Sequence, residues 1–251
     1  MESIMPIIER YSTEKDAKSF RESTLVKAQK VFSDKVEAVF RKKLGFHPDD
    51  ESGDKVWDML EPMMRETKTD WTVFWRRLST VATEYPISTT DANDDVNYEE
   101  MLELLHGNDE VTEGSSPFYE PLSDGARTKY LKWIQLWRES LNASHKQNKN
   151  GNYDNNDNET YFERMRQANP KYTLREWMLV DAYTKASFSS LSNPMFQISL
   201  KSTETTDESM IHELFELIQN PYEEGTQEQE EKYYRRAPDK ALKQGGTAFM
   251  S

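Results

Sequence analysis

The chain has 251 residues, of which 32 are basic and 45 are acidic, so its formal net charge is −13. This acidic balance excludes a dedicated nucleic-acid binder, because such proteins neutralise phosphates with a basic face. Hydrophobic residues make up 35% of the chain and charged residues 31%, which predicts a polar, helix-rich protein with solvated loops.

The first segment, residues 1–84, has the pattern of three helices. Apolar residues recur at helical spacing from Leu25 to Leu44, and Gly45 follows as a C-cap. Around Pro62 we expect a second helix to kink or to end. Asp70 is an N-cap residue for a third helix. The first and third helices carry apolar stripes, formed by Ala28, Phe32, Val36, Val39 and Phe40 and by Trp71, Phe74, Trp75 and Leu78.

The acidic, turn-rich segment 85–125 has the composition of an insert, and the pattern "YEEMLELLHG" predicts one short helix within it. Residues 126–221 return to an amphipathic pattern, except for an Asn-rich tract at 142–160 that predicts a mobile loop. The tail, residues 222–251, is expected to be largely irregular.

Within residues 126–221 the spacing of apolar residues predicts four helices. Three of them are expected over Tyr130–Leu141, Tyr161–Ala168 and Leu174–Ala186. The fourth would begin near Asp207 or Ser209 and end at Asn220-Pro221, with Ile211, Leu214, Phe215 and Ile218 on one face.

The fold class that follows is all-α, because no pair of strands with hairpin turns and no β-α-β period is present. Five aromatic residues lie on helical stripes and are expected to be at least partly buried: Trp71, Phe74, Trp75, Trp133 and Trp137. No apolar run reaches the roughly 18 residues that a membrane span needs, so we expect no membrane partner.

The sequence contains none of the motifs that mark common active sites. We find no glycine-rich phosphate loop, no HExxH and no GxSxG, and the absence of cysteine excludes thiolate sites. We therefore assign no catalytic, cofactor-binding or metal-ligating residue to this chain. Residues 204–231 hold no Lys or Arg, so they form either a solvated acidic face or a docking surface for a basic partner or a cation.

One cationic pair lies in the stretch "QANPKYTLREWM", residues 167–178. Asn169-Pro170 ends one helix, because proline biases the preceding residue away from the α region. Lys171 and Arg175 are four residues apart and would share a face in a continuous helix. They could hold a phosphate, or they could pair with carboxylates of this same acidic chain. We expect a structural corner in which Lys171 or Arg175 forms such a pair, while Tyr172 and Leu174 pack inward.

This stretch resembles the C-terminal signature of the selenoprotein O family, whose members are protein adenylyltransferases with a pseudokinase fold. The family motif is an Asn-Pro-Lys-Tyr segment followed by Leu-Arg, matched here by Asn169, Pro170, Lys171, Tyr172, Leu174 and Arg175. Glu176 departs from the Asn that usually follows. Four further blocks agree in the family's order: the helix before residue 44, "TDWTVFWRRLS", "YLKWIQLWRESL", and "LIQNPYEE" with "YYRRAPD".

The resemblance implies late helices of a kinase-like C-lobe and a C-terminal extension. In the intact family, AMP is transferred from ATP, with Mg²⁺, to hydroxyl groups of protein substrates. The family's ATP- and metal-binding lobe lies upstream of all these blocks and is not present here, so this chain alone is expected to bind neither cofactor and to be inactive. Its expected partner is the missing N-terminal kinase-like lobe.

Family members tend to end in a redox-active Cys or selenocysteine followed by two serines, whereas this chain ends in "GGTAFMS". The selenocysteine codon doubles as a stop codon, so a chain that ends where selenocysteine should come is what misreading that codon would give. We therefore expect a C-terminal piece of a selenoprotein O-like protein. The alternatives are a stand-alone acidic helical interaction module that has lost the enzyme lobe, and an unrelated acidic helical scaffold. The resemblance implies mitochondria, but no presequence is recognisable, so a cytoplasmic location is the alternative.

Overall fold

The computed structural model describes residues 10, 13–87, 96–109, 113–149, 160–191, 207–238 and 241. Within these residues the chain forms helices without strands, and an isolated bridge joins Thr69 to Phe118. The all-α class is thus confirmed. The helices are α1 (Glu14–Lys43), α2 (Ser52–Glu66), α3 (Trp71–Glu84), α4 (Tyr98–His106), α5 (Asp124–Lys149), α6 (Tyr161–Ala168), α7 (Glu176–Leu191), α8 (Ser209–Gln219) and α9 (Gln227–Tyr233).

The main core lies among α2 to α6 and the end of α1, and α5 contributes its central aromatic residues. Trp133 and Trp137 stack in parallel with their ring centres 6.0 Å apart. Each indole N–H donates at 2.9 Å to a backbone carbonyl, of Val56 and of Leu44 respectively. Phe74, like both of these tryptophans, is buried, so the burial prediction is confirmed for the stripes of α3 and α5.

The remaining stripe residues of α3 differ in their burial. Trp75 is buried, whereas Trp71 is 39% exposed and lies at the edge of the main core. The ring of Trp71 packs edge-on against Phe40 and Trp57, which stack with a centroid distance of 3.9 Å. Trp71 is therefore partly buried, as predicted.

Helix α1 begins at Glu14, earlier than the apolar pattern indicated, and Thr13 caps it by accepting a hydrogen bond from the Asp16 amide at 3.2 Å. Phe40 packs against the main core. Phe32, on the same predicted stripe, is 72% exposed. Leu25 and Val39, seven residues before and after Phe32, are also exposed, so this side of α1 presents apolar residues to solvent.

The predicted helix of the acidic segment contributes to the main core. It is present as α4, and Met101, Leu102 and Leu105 of that helix are fully buried. Helix α4 packs on both α3 and α5. Composition had indicated a solvated loop because the acidic residues of α4 lie on its outer side, where Glu99 and Glu103 pair with Arg127.

Two boundaries predicted from the sequence are wrong. The first eight residues of the Asn-rich tract, 142–149, continue α5 as helix; residues 150–159 lie outside the described part. Tertiary contact outweighs the low helix propensity here, because the buried Ser144 hydroxyl donates to Asp50. Helix α7 runs from Glu176 to Leu191, beyond the predicted end at Ala186. Of the two alternatives at Pro62, an end of the helix is excluded, because α2 continues to Glu66; a kink stays a prediction.

The C-terminal cluster is a second apolar assembly, formed by α7, α8 and α9 with the segments around them. Helix α8 buries Leu214 as predicted, but Met210 and Leu217 complete its inner face, while Ile211 and Phe215 are exposed. In the described part of the tail, residues 222–238, one short helix, α9, is present that the sequence pattern did not predict; residues 239–240 and 242–251 lie outside the described part. The N-terminus of α9 is a capping box of Thr226 and Gln229, a pattern visible in the sequence as "TQEQ".

The turn after α1 generates a prediction about Gly45. Its φ is +92°, and the Gly45 and Phe46 amides donate to the Lys42 and Arg41 carbonyls, which is a Schellman motif. A Cβ at this position would lie 3.1 Å from the sulfur of Met165. Gly45→Ala should therefore lower the free energy of unfolding by about 1–2 kcal/mol in urea denaturation.

A matched control is Gly125→Ala, since Gly125 is helical and an added Cβ has no atom nearer than 4.0 Å. This change should leave stability unchanged or slightly raised. If both variants lose stability equally, the left-handed turn at residue 45 does not have the assigned role.

Candidate functional site

The candidate site is the corner, which we define as residues 169–175. Asn169 ends α6 with φ −118° and ψ 87°, the extended conformation favoured before proline. The backbone from Pro170 to Arg175 is not helical, and α7 begins only at Glu176. Lys171 and Arg175 therefore do not share a helix face, and the structure gives them different partners.

Asn169 is a fully buried amide that joins three parts of the chain. Its side-chain NH₂ donates to the Lys43 carbonyl at 3.0 Å and to the Ser79 hydroxyl at 2.9 Å. Its side-chain oxygen accepts from the Lys43 ammonium at 3.2 Å. Burial lowers the pKa of Lys43 to about 8. All the polar atoms of the Asn169 amide are thus satisfied between α1 and α3.

Arg175 forms a buried ion pair with Asp70, and each residue is only 2% exposed. The Arg175 guanidinium also donates to the Arg235 carbonyl at 2.7 Å. The Asp70 carboxylate caps α3 by accepting from the Val73 amide at 3.1 Å, and it accepts from the Tyr119 hydroxyl at 3.1 Å. One carboxylate therefore holds the start of α3, the corner and residues of the acidic segment together.

Lys171 is 4% exposed and points toward the tail. Its ammonium donates to the carboxylates of Glu224 at 3.0 Å and Glu230 at 2.9 Å. It also lies 5.1 Å from the ring centre of Tyr234, within cation–π range. The expected pairing of the corner's cations with carboxylates of the same chain is confirmed for both Lys171 and Arg175.

Glu224 accepts hydrogen bonds from two further cations, Arg76 of α3 and Arg166 of α6. Burial alone would raise the pKa of the Glu224 carboxyl. The hydrogen bond from Lys171 and the charges of these three cations outweigh burial, so the pKa is lowered below its usual value.

Tyr172 packs inward as predicted, but Leu174 does not. The Tyr172 hydroxyl donates to the Glu224 carbonyl at 2.7 Å, next to Gly225, whose φ is +73°. Leu174 is 43% exposed. The prediction for Leu174 is wrong because the inward positions around the start of α7 are taken by Arg175, which reaches Asp70, and by Trp177.

Sequence reasoning identified Asp70 only as a helix cap and missed Arg76, Glu224 and Tyr119 as members of the site. Glu224 lies in the acidic stretch that was interpreted as either solvated or a docking surface, and it proves to hold cations of its own chain. One signal could have identified these residues. That signal is the set of separate blocks that resemble the same family. Asp70, the corner and Glu224 lie in three of these blocks, and the three blocks meet at this site.

The arrangement is rich in charge but presents no evident reaction centre. The two cations of the corner are paired with carboxylates of the chain. No group of three His, Asp or Glu side chains in the described ranges is arranged to hold a metal ion. Nor is any helix in that part of the chain long and apolar enough to cross a membrane. The corner therefore joins distant segments of the chain, and its buried cations are held by carboxylates of the same chain.

Comparison with known proteins places these features in a family. Residues 2–219 match the family described as protein adenylyltransferase SelO. A protein nucleotidyltransferase YdiU of Flavobacterium johnsoniae is 26% identical over 215 residues, covering 85% of this chain and 32% of its own length. A second protein nucleotidyltransferase YdiU, from Rhodopirellula baltica, is 24% identical over 213 residues, 83% of this chain and 32% of its own length. No solved structure matches.

The match covers most of the chain and includes the corner, α3 and α5. The chain therefore belongs to the SelO family of protein adenylyltransferases. It spans about a third of the length of the curated relatives it matches. The resemblance seen in the sequence is confirmed.

The buried ion pair generates the first prediction for the corner. Arg175→Ala should lower the free energy of unfolding by about 3–5 kcal/mol, because Asp70 would remain buried without its cation. Arg65→Ala is the control, since Arg65 is 80% exposed in its pair with Glu61 and should cost less than about 1 kcal/mol. Urea denaturation followed by tryptophan fluorescence measures both. Similar losses in the two variants would contradict the role given to Arg175.

The second prediction concerns alkaline pH. Burial, with the charge of Asp70, raises the pKa of Tyr119 to about 12, and burial also raises the pKa of Tyr172 to about 12. Unfolded tyrosine titrates near pH 10, so the folded state binds more protons between about pH 10 and 12. The stability contributed by these groups is complete below pH 10 and should be lost through that window.

Urea denaturation at pH 9 and at pH 11 measures this loss. Tyr119→Phe should make the decrease between the two pH values smaller. Tyr183→Phe should not, because Tyr183 is 73% exposed. A decrease unaffected by Tyr119→Phe would show that this hydroxyl does not titrate as described.

Proposed function

We propose that this chain acts as the helical C-terminal part of a SelO-type protein nucleotidyltransferase, which transfers AMP from ATP to Ser, Thr or Tyr hydroxyls of proteins. The observation that carries this proposal is the family match over residues 2–219, together with relatives called protein nucleotidyltransferases that extend well beyond the matched region. By itself, the chain would be inactive.

The chemistry of the described residues supports this division of roles. Nucleotidyl transfer needs metal ions and cationic groups that offset phosphate charge in the transition state. Lys171 and Arg175 are bound by carboxylates of this chain. Among the described residues no three His, Asp or Glu side chains are grouped to hold a metal ion. ATP and Mg²⁺ would therefore be held by the two thirds of the relatives that this chain does not match.

The exposed face of α1 supports a further partner within the same protein, the kinase-like lobe. Leu25, Phe32 and Val39 recur at seven-residue spacing on one side of α1 and are 39%, 72% and 49% exposed. Contiguous exposed apolar surface marks interaction sites. In the proposed arrangement this face packs against the catalytic lobe, and the corner keeps α3, α6 and the tail in place beneath it.

The same apolar face supports the second candidate, a stand-alone helical interaction module. Such a module would use α1 to bind another protein and would have no part in AMP transfer. The two candidates differ in one respect: only the first requires that this chain complete an active enzyme when it is joined to the rest of a family member.

A chimera tests the difference. The region of the Flavobacterium johnsoniae relative that matches this chain would be replaced by it, and transfer of labelled AMP from ATP to protein would be measured. The isolated chain should show no transfer, and the folded chimera should be active. Arg175→Ala in the chimera should lower activity only in proportion to the loss of folded protein.

Three results would contradict the proposal. Magnesium-dependent AMP transfer by the isolated chain would show that it contains the catalytic machinery. A folded chimera without activity would favour the stand-alone module. Loss of transfer in Arg175→Ala with unchanged melting temperature would place Arg175 in the active site rather than in the scaffold.

A further inference from the structure

Three cations from three separate segments converge on one carboxylate. Arg76 and Arg166 both donate to Oε1 of Glu224, and Lys171 donates to Oε2 at 3.0 Å. The second carboxylate at this point is Glu230, which accepts from Lys171 at 2.9 Å. Three positive charges thus meet two negative charges, so the cluster has an excess of one positive charge.

Two of the cations are held in place without help from Glu224. Arg76 is 3% exposed and donates to the carbonyls of Asn169 at 3.3 Å and Tyr222 at 3.2 Å. Lys171 is held by Glu230 and by the ring of Tyr234. The donors aimed at the Glu224 position are therefore arranged in advance by buried contacts, as they are in sites built for an anion.

The Glu224 carboxylate, by contrast, lies at the surface. Its side chain is 56% exposed, while those of Arg76 and Lys171 are each 4% exposed. The anion is thus the accessible and replaceable part of the cluster, and the cations are the fixed part. Arg166, at 44% exposed, forms the outer edge.

We propose that Arg76, Arg166 and Lys171 form a binding site for a phosphate monoester group, and that the Glu224 carboxylate occupies this site when no such ligand is present. A phosphate presents oxygens to the two arginines and the lysine as the carboxylate does, with one more oxygen and a larger charge to match the excess positive charge. This site lies outside the proposed ATP-binding part and does not depend on the proposed function.

Simple opening of the cluster is disfavoured, because Arg76 would be left buried without a counter-charge and Lys171 would keep only Glu230. Exchange of one anion for another avoids this cost. The Glu224 side chain can leave by rotation into solvent while its carbonyl still accepts from the Tyr172 hydroxyl at 2.7 Å. Binding of a phosphate group therefore requires no displacement of α9.

Glu224→Ala tests the site by removing the internal occupant. Inorganic phosphate, added at constant ionic strength set with chloride, should raise the melting temperature of this variant with saturation in the millimolar range. Its affinity should exceed that of the unchanged chain by at least tenfold. Glu223→Ala is the matched control, and its response should equal that of the unchanged chain. Adding Arg166→Ala to Glu224→Ala should abolish this gain in phosphate affinity. Mg²⁺ is left out of all samples.

The nature of the ligand is distinguished by repeating the titration with AMP and with O-phosphoserine. Tighter binding of AMP than of inorganic phosphate would identify a nucleotide, and tighter binding of O-phosphoserine a phosphorylated side chain. Either result supports a phosphate monoester site, because in either case the binding should require Arg166. Equal, weak responses of Glu224→Ala and Glu223→Ala would mean an adventitious ion only and would overturn the proposal.

A second measurement covers the case in which Glu224→Ala does not fold. Glu224→Gln keeps an acceptor of the same shape and removes the charge, and it should bind phosphate more tightly than the unchanged chain. In the unchanged chain, phosphate should alter the chemical shift of the Glu224 side-chain carboxyl carbon and leave that of Glu223 unaltered. Absence of both effects would show that Glu224 is a permanent structural partner of these cations.

Discussion

The buried ion pair between Asp70 and Arg175 is the interaction on which the rest of the structure depends. Neither charge reaches water, so each needs partners that are fixed in position. Asp70 obtains them from the Val73 amide and the Tyr119 hydroxyl, and Arg175 from the Arg235 carbonyl. Because removing any partner leaves a buried charge unsatisfied, α3, the corner and the tail have one relative arrangement.

This arrangement joins the two apolar assemblies of the chain. The main core lies on one side of the corner and the C-terminal cluster on the other. Tyr172 belongs to the C-terminal cluster, whereas Asn169, three residues earlier, is bound to α1 and α3. The polar corner therefore specifies how the two assemblies meet, and hydrophobic burial, which has no direction, could not do this alone.

Local features of the fold were predictable from the sequence, and long-range ones were not. Helical spacing identified α3, α6 and the helix of the acidic segment, because an apolar stripe is a property of neighbouring residues. Periodicity could not show whether a stripe is covered by another part of the chain. Phe32 and Phe215 lie on predicted stripes and yet are exposed. The end of α5 was missed because the contact of Ser144 with Asp50 outweighs local propensity.

The candidate site follows the same division. The break at Asn169-Pro170 and the pairing of Lys171 and Arg175 with carboxylates were predictable, since proline chemistry is local and the chain is rich in acids. Which carboxylates they bind was not, because Asp70 is 105 residues from Arg175 and Glu224 is 53 residues from Lys171. Asp70, Lys171 and Arg175 lie within the region that matches the SelO family, and Glu224 lies just beyond it; the ion pairs show what joins these segments.

Native-state hydrogen exchange tests the central claim, that the corner makes the main core and the C-terminal cluster one cooperative unit. The most protected amides of α5 report on the main core, and those of α7 and α8 report on the C-terminal cluster. We predict that both groups exchange with the same free energy and the same dependence on urea, as expected for a single global unfolding step. Exchange of α7 and α8 through a separate, lower-energy opening, with α5 still protected, would contradict the account.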